Sequence, residues 1–229
     1  MPRERPRIVA NFAITADGKV STRNRTPSGF TSGEDKRRFR EIRSRGDAVL
    51  VGAGTAAADH MTMGLSDPAL RRARKTRGQS EEPLRVVVSN SGRLDPKLKI
   101  FGYKSSPLVI FSTARMSQAT RAKLAPLCDL WLFDEGTVDL AVMLAILRKD
   151  YKVRNIVCEG GPTLFRSLVK MNALDELYLT WAPVFFGGKN APTLTGLPGN
   201  FLPKIVRGQL KKMDVVGQEV FLNYRILAS

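Results

Sequence analysis

The stretch from Asn155 to Lys170 constrains the fold of this chain more than any other. It reads N-I-V-C-E-G-G-P-T-L-F-R-S-L-V-K, which is a short buried-strand pattern, a glycine turn, and apolar residues at helical spacing. Pro162 suits the first position of a helix, where its missing N–H would have no partner. Gly160 and Gly161 let the backbone turn sharply and let a ligand approach the positive end of the helix dipole. The stretch predicts an anion-binding β–turn–α unit, although a plain turn with a solvated Glu159 fits equally well.

Composition places the chain among ordinary globular proteins. With 229 residues, 43% of them hydrophobic, we expect one domain over residues 1–229, with residues 1–6 flexible. No apolar run is long enough to span a membrane and the N-terminus lacks a signal-peptide core, so we expect a cytoplasmic protein. Cys128 and Cys158 lie beside or within apolar runs, which predicts buried thiols instead of a disulfide. His60 is the single histidine, so no metal site is expected.

A net charge of +16 indicates either plain solubility or a polyanionic partner. The basic residues are spread over separate segments, namely Arg3 to Arg7, Arg37 to Arg45, Arg71 to Arg77 and Lys204 to Lys212. No nucleic-acid-binding motif accompanies them. Small phosphorylated ligands therefore explain the charge better than nucleic acid does. A nucleic-acid-binding protein that is not an enzyme stays the alternative.

Strand patterns alternate with helix patterns along most of the chain. Strands are predicted at Ile8 to Ala16, Ala48 to Val51, Leu84 to Val88, Leu108 to Phe111, Leu130 to Phe133, Asn155 to Cys158, Leu177 to Ala182, Lys204 to Lys211 and Gln218 to Leu227. Helices are predicted from Ser32 or Gly33 to Arg45, and at Met116 to Ala125, Leu140 to Lys149 and Pro162 to Lys170. The Arg-rich stretch 71–82 is expected to be disordered. This order predicts a three-layer α/β fold with a mixed, mostly parallel sheet, helices on both faces and an antiparallel C-terminal end.

A second glycine turn, Gly52 to Asp59, follows the strand Ala48 to Val51. It fits the dinucleotide-binding spacing G-x-G-x-x-A, but the segment Met61 to Glu82 lacks the long helix and the acid-ended strand that should come next. Thr55 is better interpreted as the N-cap of a short helix. The turn is expected at the carboxyl end of a strand, where α/β proteins bind ligands.

Several motifs occur in an order that resembles one known family. They are N-F-A-I-T-A-D-G-K (11–19), F-T-S-G-E-D (30–35), D-A-V-L-V-G-A-G-T (47–55), P-L-R-V-V-V (83–88), C-E-G-G-P-T-L (158–164), D-E-L (175–177) and A-P-V-F-F-G-G (182–188). Together they resemble the reductase domain of riboflavin biosynthesis, the C-terminal half of a bifunctional deaminase-reductase with a dihydrofolate-reductase-like fold. No deaminase half or zinc motif is present, so a stand-alone reductase is expected.

The resemblance implies reduction, by NADPH, of the ribose of a 5-phosphoribosylamino pyrimidine to a ribityl chain, with hydride delivery to C1′. It also implies a homodimer formed through edge strands. The implied NADPH contacts are Ala13, Phe30, Gly52, Gly54, Thr55, Asp59, Asn90, Gly160, Gly161, Pro162, Thr163 and Leu164, and the implied substrate contacts are Ser28, Arg43, Met63 and Glu159. Glu159 and Lys19 are the catalytic candidates, since reduction of an imine gains from a nearby acid. On this reading the two glycine turns bind one dinucleotide at the same edge of the sheet.

The chain departs from the family after the second glycine turn. Family members often have an Asp-x-Pro-x-Leu-Thr-x-Arg pattern there, and its arginine helps hold the substrate phosphate. Here Asp59 leads into H-M-T-M-G-L-S, so the proline and the arginine are missing. Either Arg71 or Arg72 takes over that contact, or the substrate is a different small molecule. His60 is interpreted as a loop hydrogen-bonder.

Overall fold

The computed structural model describes residues 4–22, 29–196 and 202–227. They form two compact units: unit 1 is Arg43–Val157 with the N-terminal segment up to Pro6, and unit 2 is Arg7–Ile42 with Cys158–Ser229. The elements in chain order are β1 Arg7–Thr15, α1 Gly33–Arg45, β2 Ala48–Gly52, α2 Ala53–Ala58, α3 Pro68–Thr76, β3 Leu84–Ser89, α4 Lys99–Gly102, β4 Leu108–Thr113, α5 Gln118–Leu124, β5 Asp129–Phe133, α6 Leu140–Lys149, β6 Asn155–Cys158, α7 Pro162–Lys170, β7 Glu176–Ala182, β8 Gly208–Val216 and β9 Glu219–Ile226. Within those described ranges, no helix has the length and apolar character to cross a bilayer.

The strands of unit 1 lie in the order β5-β4-β3-β2-β6. β2 pairs with β3, β3 with β4 and β4 with β5, all in parallel. The register places Gly52 beside Val88, and Ser89 beside Ser112. The carboxyl ends of β2, β3 and β4 therefore meet at one edge, which we call the carboxyl edge of unit 1.

The strands of unit 2 lie in the order β1-β7-β9-β8. β1 and β7 are parallel, whereas β7–β9 and β9–β8 are antiparallel. Gly217 connects β8 to β9 with a φ of +62°, as a two-residue hairpin turn requires. The expected α/β class with a mostly parallel, mixed sheet and an antiparallel C-terminal end is confirmed. The strand predicted at Lys204 to Lys211 is corrected to Gly208–Val216, because β8 runs on to that turn.

Apolar side chains fill the interior of each unit where the helical and strand periodicities place them. In unit 1 a cluster of buried residues includes Val49, Val51, Val87, Ile110, Met116 and Leu124. In unit 2 the ring of Phe12 on β1 meets the ring of Phe165 on α7 edge-on, with centroids 5.1 Å apart. Leu164, Phe165, Leu168 and Val169 of α7 are all buried. The helical spacing in the stretch 162–170 therefore identified the packed face of α7 correctly.

The prediction of disorder over residues 71–82 is wrong, because this stretch contains most of helix α3. Asp67 caps the helix by accepting the N–H of Ala69 at 2.8 Å, and Pro68 occupies its first turn. Arg74 is fully buried and donates to the carbonyl oxygens of Ser44 at 2.9 Å and of Gly46. Carbonyl groups at the end of α1 lack intrahelical partners, so a buried guanidinium satisfies them. Burial lowers the pKa of Arg74 to about 10.

One smaller expectation is also corrected, one short helix was missed, and the expectation of free cysteines is confirmed. Helix α2 begins at Ala53 with Gly52 as its N-cap, so Thr55 lies inside the helix and does not cap it. The short helix α4 was not predicted. Cys128 and Cys158 are both free thiols, as expected, but only Cys158 is buried and Cys128 is half-buried. Burial raises the pKa of Cys128 to about 11 and that of Cys158 to about 12.

Candidate functional site

The D-G-K turn after β1 is bound to the loop that follows β7. The carboxylate of Asp17 accepts the hydroxyl of Thr15 at 2.6 Å, and the N–H groups of Phe186 at 3.2 Å and Gly187 at 2.7 Å. These hydrogen bonds, that from Thr15 first, hold the pKa of Asp17 below its usual value. The motifs at 11–19 and 182–188, which are separated by more than half of the chain, are thus joined in unit 2.

Lys19 ends this turn and is partly buried. Its N–H donates to the hydroxyl of Thr15 at 2.9 Å, which fixes the backbone at this residue. Its ammonium makes no hydrogen bond or ion pair with any residue that the structure describes. Nearby in the same unit, Phe30 contacts Phe186 edge-on, with ring centroids 5.1 Å apart. The structure thus leaves the Lys19 ammonium available for a ligand.

The turn between β6 and α7 has the geometry that the sequence predicts. Glu159 is 8% exposed, and it precedes Gly160, whose φ of +120° favours glycine. The Gly160–Gly161 peptide is cis. Gly161 is the N-cap of α7 without any side-chain cap, and Pro162 follows in the first turn. First-turn N–H groups have no intrahelical acceptors, so this end of α7 is suited to an anion.

The second glycine turn lies at the carboxyl edge of unit 1. A Cβ at Gly54 would meet nothing within 4 Å, so the backbone there is open to a ligand. Asn90 follows β3 at the same edge, and its side-chain oxygen accepts the N–H of Val138 at 3.0 Å. The buried hydroxyl of Ser89 has no hydrogen-bond partner in the described part of the chain. The structure thus places the predicted contacts Gly52, Gly54, Thr55, Asp59 and Asn90 at the carboxyl edge of unit 1.

The predicted substrate contacts are only partly brought together. Ser28 lies outside the described residues. Arg43 is 7% exposed and its Nη1 donates to the carbonyl of Gly64 at 2.8 Å, so it lies beside Met63. Met63 has a φ of +65° and its side chain is fully buried in the apolar cluster of unit 1. A substrate contact at Met63, which stays a prediction, would therefore come from its main chain.

Arg71 lies next to the loop that lacks the family's arginine. Its Nε donates to the carbonyl of Leu65 at 2.6 Å and its Nη2 lies 2.7 Å from the carboxylate of Glu82. The carboxylate of Glu82 is almost completely buried, so it compensates the charge of Arg71. Arg72 is exposed on α3. His60 is an exposed loop residue with a φ of +46°.

One group of polar residues in unit 2 was missed by sequence reasoning. The hydroxyl of Thr180 on β7 donates to Asp35 on α1 at 2.6 Å, and Thr180 is the register partner of the predicted cofactor contact Ala13. Burial, followed by repulsion from Glu219, raises the pKa of Asp35. The only local indication that Asp35 matters is its position within the motif F-T-S-G-E-D. Its partner Thr180 is 145 residues away, and no sequence pattern predicted their contact.

Glycine turns and polar side chains at the carboxyl ends of parallel strands are typical of α/β proteins that bind ligands at the sheet edge. Comparison with known proteins narrows the class, because the sequence model described as "RibD C-terminal domain" matches residues 6–222. The chain is 31% identical over 214 residues to the 2,5-diamino-6-ribosylamino-4(3H)-pyrimidinone 5′-phosphate reductase of Archaeoglobus fulgidus, covering 93% of the chain and 95% of that protein. It is 30% identical over 224 residues to the reductase of the same name from Methanothermobacter thermautotrophicus, covering 97% and 99%. The chain therefore belongs to the RibD C-terminal domain family, the reductase family of riboflavin biosynthesis.

Solved structures share the fold at lower sequence identity. A pyrimidine reductase-like protein from Corynebacterium diphtheriae superposes with a TM-score of 0.83 at 20% identity, covering 98% of this chain and 93% of that one. The RibD protein of Acinetobacter baumannii gives 0.79 at 20% identity, covering 98% of this chain and 58% of its own. The expected resemblance is confirmed for both family and fold.

Proposed function

We propose that this reductase converts the ribosyl group of a 5-phosphoribosylamino pyrimidine into a ribityl chain, with NADPH as hydride donor. The observation that carries the proposal is the buried Glu159 directly before an uncapped helix end at Gly161, which is suited to an anion. Two relatives at 30% identity or more, each matched over nearly its whole length, are named as reductases of a diamino pyrimidinone phosphate. We therefore favour the still-aminated pyrimidine over the deaminated one.

NADPH, when bound, supplies the hydride for this reaction. The N–H groups at the start of α7, in Thr163 and Leu164, are suited to its diphosphate, and Gly160 and Gly161 allow close approach. The open backbone at Gly54 is the second predicted contact. The remaining predicted contacts are Ala13, Phe30, Gly52, Thr55, Asp59, Asn90 and Pro162.

Glu159 and Lys19 are proposed to handle the substrate around C1′. Reduction of the ring-opened imine adds a hydride to C1′ and a proton to the nitrogen, so an acid close to that nitrogen accelerates the step. Glu159, which is largely withdrawn from solvent, is the proposed acid. The ammonium of Lys19, which no described carboxylate neutralises, is suited to orient a ribose hydroxyl. Arg43 is the proposed phosphate contact on the substrate.

A different small substrate remains the second candidate. Two observations favour it: the loop 60–66 has no arginine, and Arg71 pairs with Glu82. A substrate without the 5′-phosphate would need neither an arginine in that loop nor a free Arg71. Comparison of the phosphorylated pyrimidine with its dephosphorylated form separates the two candidates, since only the first predicts a strong preference for phosphate.

We also propose that the protein is a cytoplasmic homodimer. β8 is the last strand of unit 2 and its outer side pairs with no described strand. Its exposed apolar residues are Leu210, Met213, Val215 and Val216. An unpaired apolar edge strand is a favourable place for a second copy to bind. Two free cysteines agree with a reducing compartment.

The test is oxidation of NADPH in the presence of the aminated or the deaminated pyrimidine phosphate. Glu159→Gln keeps the shape of the side chain but removes the acid, so we expect an unchanged NADPH affinity and a kcat lowered by about 10²-fold or more. Glu81→Gln, at an exposed position, is the matched control. A full rate for Glu159→Gln removes its catalytic role, and no pyrimidine-dependent oxidation by the wild type rejects the proposed function.

A further inference from the structure

A polar network at the loop 60–66, with a buried carboxylate at its centre, takes no part in the chemistry proposed above. The carboxylate is that of Glu82, whose side chain is 2% exposed. The hydroxyl of Tyr103 donates to it at 2.6 Å, and Nη2 of Arg71 lies 2.7 Å from it. The N–H of Leu65 is a third donor, at 3.2 Å. We call these four residues the Glu82 network, and all of them belong to unit 1.

The network holds the main chain of the loop at Leu65 from two sides. Glu82 accepts the N–H of Leu65, and Nε of Arg71 donates to the carbonyl oxygen of Leu65 at 2.6 Å. Burial, followed by the hydrogen bond to Glu82, raises the pKa of Tyr103, so its hydroxyl stays protonated and remains a donor near neutral pH. Each of these hydrogen bonds includes a charged group, so each is stronger than a bond between two neutral groups.

Tyr103 reaches Glu82 because residue 64 has no side chain. A Cβ at Gly64 would overlap the ring and the hydroxyl of Tyr103. The ring therefore packs directly against the main chain of Gly64. Hydrogen bonds fix the next residue, Leu65, so the carbonyl group of Gly64 is held from both sides.

The carbonyl group of Gly64 is in turn the partner of Arg43. Nη1 of Arg43, in the last turn of α1, donates to this oxygen at 2.8 Å. A guanidinium group is planar and its N–H groups form a rigid fork, so one fixed hydrogen bond restricts the directions of the others. Met63, the other predicted substrate contact in unit 1, directly precedes Gly64 and has a φ of +65°. Both predicted contacts are thus adjacent to the residue that the Glu82 network and the ring of Tyr103 hold.

We propose that Glu82 and Tyr103 are positioning residues, which direct the guanidinium of Arg43 toward the 5′-phosphate of the pyrimidine substrate. The inference rests on the proposed function, in which Arg43 contacts that phosphate. Compared with apolar packing of the same volume, a buried ion pair contributes little net stability, so the value of the pair here lies in the geometry that it fixes. The Glu82 network thus selects for the phosphate beside a loop that has no arginine of its own.

The network acts on the phosphate contact and not on the hydride donor. Two parallel hydrogen bonds from a guanidinium to phosphate oxygens need both N–H groups in line, so a small rotation of Arg43 loses one of them. A displacement of about 1 Å in such a contact costs up to about 100-fold. Loss of the network should therefore weaken recognition of the phosphate and leave the binding of NADPH unchanged.

The experiment measures oxidation of NADPH with the pyrimidine 5′-phosphate and with its dephosphorylated form. The ratio of the two kcat/KM values is the phosphate preference. Tyr103→Phe removes one hydroxyl and keeps the ring against Gly64, whereas Glu82→Gln keeps the shape of the side chain and removes its charge. We expect each variant to raise the KM for the phosphorylated form by about 10-fold, with kcat and the affinity for NADPH unchanged, so the preference falls by the same factor. Tyr103→Phe is the milder change and decides the question if Glu82→Gln does not fold.

Two further variants calibrate the result. Tyr151→Phe is the matched control, because its hydroxyl also donates to a carboxylate, that of Asp129 on the outer strand β5, at 3.1 Å. It should leave the phosphate preference unchanged. Arg43→Lys should lower the preference at least as much as Tyr103→Phe does, since lysine lacks the bidentate fork. The two changes together should lower it little further than Arg43→Lys alone, because both act on one contact.

The outcomes separate the inference from the proposed function. An unchanged phosphate preference in Tyr103→Phe, or a loss that multiplies with that of Arg43→Lys, overturns the inference, because Tyr103 then does not act through Arg43. If Arg43→Lys keeps the full preference, Arg43 is not the phosphate contact, and the inference fails together with that one assignment. If the wild type oxidises no NADPH with either pyrimidine, the proposed function itself fails, and the inference fails with it.

Discussion

Asp35 lies in an environment that its sequence neighbours do not indicate. In the first turn of a helix a carboxylate ordinarily stays charged, because the helix dipole favours it there. Here burial and the nearby carboxylate of Glu219 raise its pKa, against the opposing effect of the hydrogen bond from Thr180. The folded state thus favours the protonated form of Asp35 more than the unfolded state does. This contribution to stability is present below the unfolded pKa of 3.8 and is lost as the pH rises through the folded pKa.

Asp35→Asn should therefore not destabilise the protein at neutral pH. The variant removes the cost of burying charge, and the amide oxygen still accepts the hydroxyl of Thr180. We expect the free energy of unfolding to rise by less than about 1 kcal/mol at pH 7, since solvent still screens the group, and the gain to vanish below about pH 4. Urea denaturation at both pH values measures this, with the exposed Asp134→Asn as the control. A variant less stable than the wild type at pH 7 would show that the carboxylate of Asp35 stabilises the fold as an anion.

At the scale of elements, helix α3 depends on one buried side chain rather than on an apolar face. Its sequence P-A-L-R-R-A-R-K-T has too few apolar residues for a conventional core helix. Arg74 reaches the carbonyl groups at the end of α1 and also donates to the carbonyl of Ser80 at 2.9 Å. The charge is thus used to complete the end of another helix and to hold the loop after α3.

Arg74→Ala should cost about 3 to 5 kcal/mol of unfolding free energy, because it leaves several buried carbonyl groups without a donor. Arg72→Ala, two positions earlier on the exposed side of α3, should change the stability by less than about 0.5 kcal/mol. Urea unfolding of both variants gives the comparison. Equal stabilities for the two would mean that water replaces the guanidinium of Arg74 at little cost.

At the scale of the whole molecule, β8 is the element that bears on assembly. Asp214 bonds to Arg38 of α1 at 3.0 Å, so Met213 and Val215 point to the opposite face of the strand. Both are well exposed, at 59% and 65%. Apolar residues in this position on an edge strand are unfavourable for a monomer in water.

Val215→Glu should convert a homodimer into a monomer, because each copy would bring a charge into an apolar contact. Sedimentation velocity at micromolar concentration measures the change. Val142→Glu is the matched control, since Val142 is 46% exposed on α6 in unit 1 and lies far along the chain from β8. A wild-type protein that sediments as a monomer contradicts the dimer itself, and a dimeric Val215→Glu contradicts only this contact.

The sequence by itself determined the features that depend on neighbours along the chain. Glycine, proline and helical spacing identified the turn at Gly160 and helix α7, apolar runs located most strands, and the ordered motifs identified the family. Only the tertiary structure decided the others: the pairing of Asp35 with Thr180 and the order in α3 through Arg74. In each of these, groups distant in sequence meet. Whether a buried polar group is tolerated depends on which partners the folded chain brings within hydrogen-bond distance.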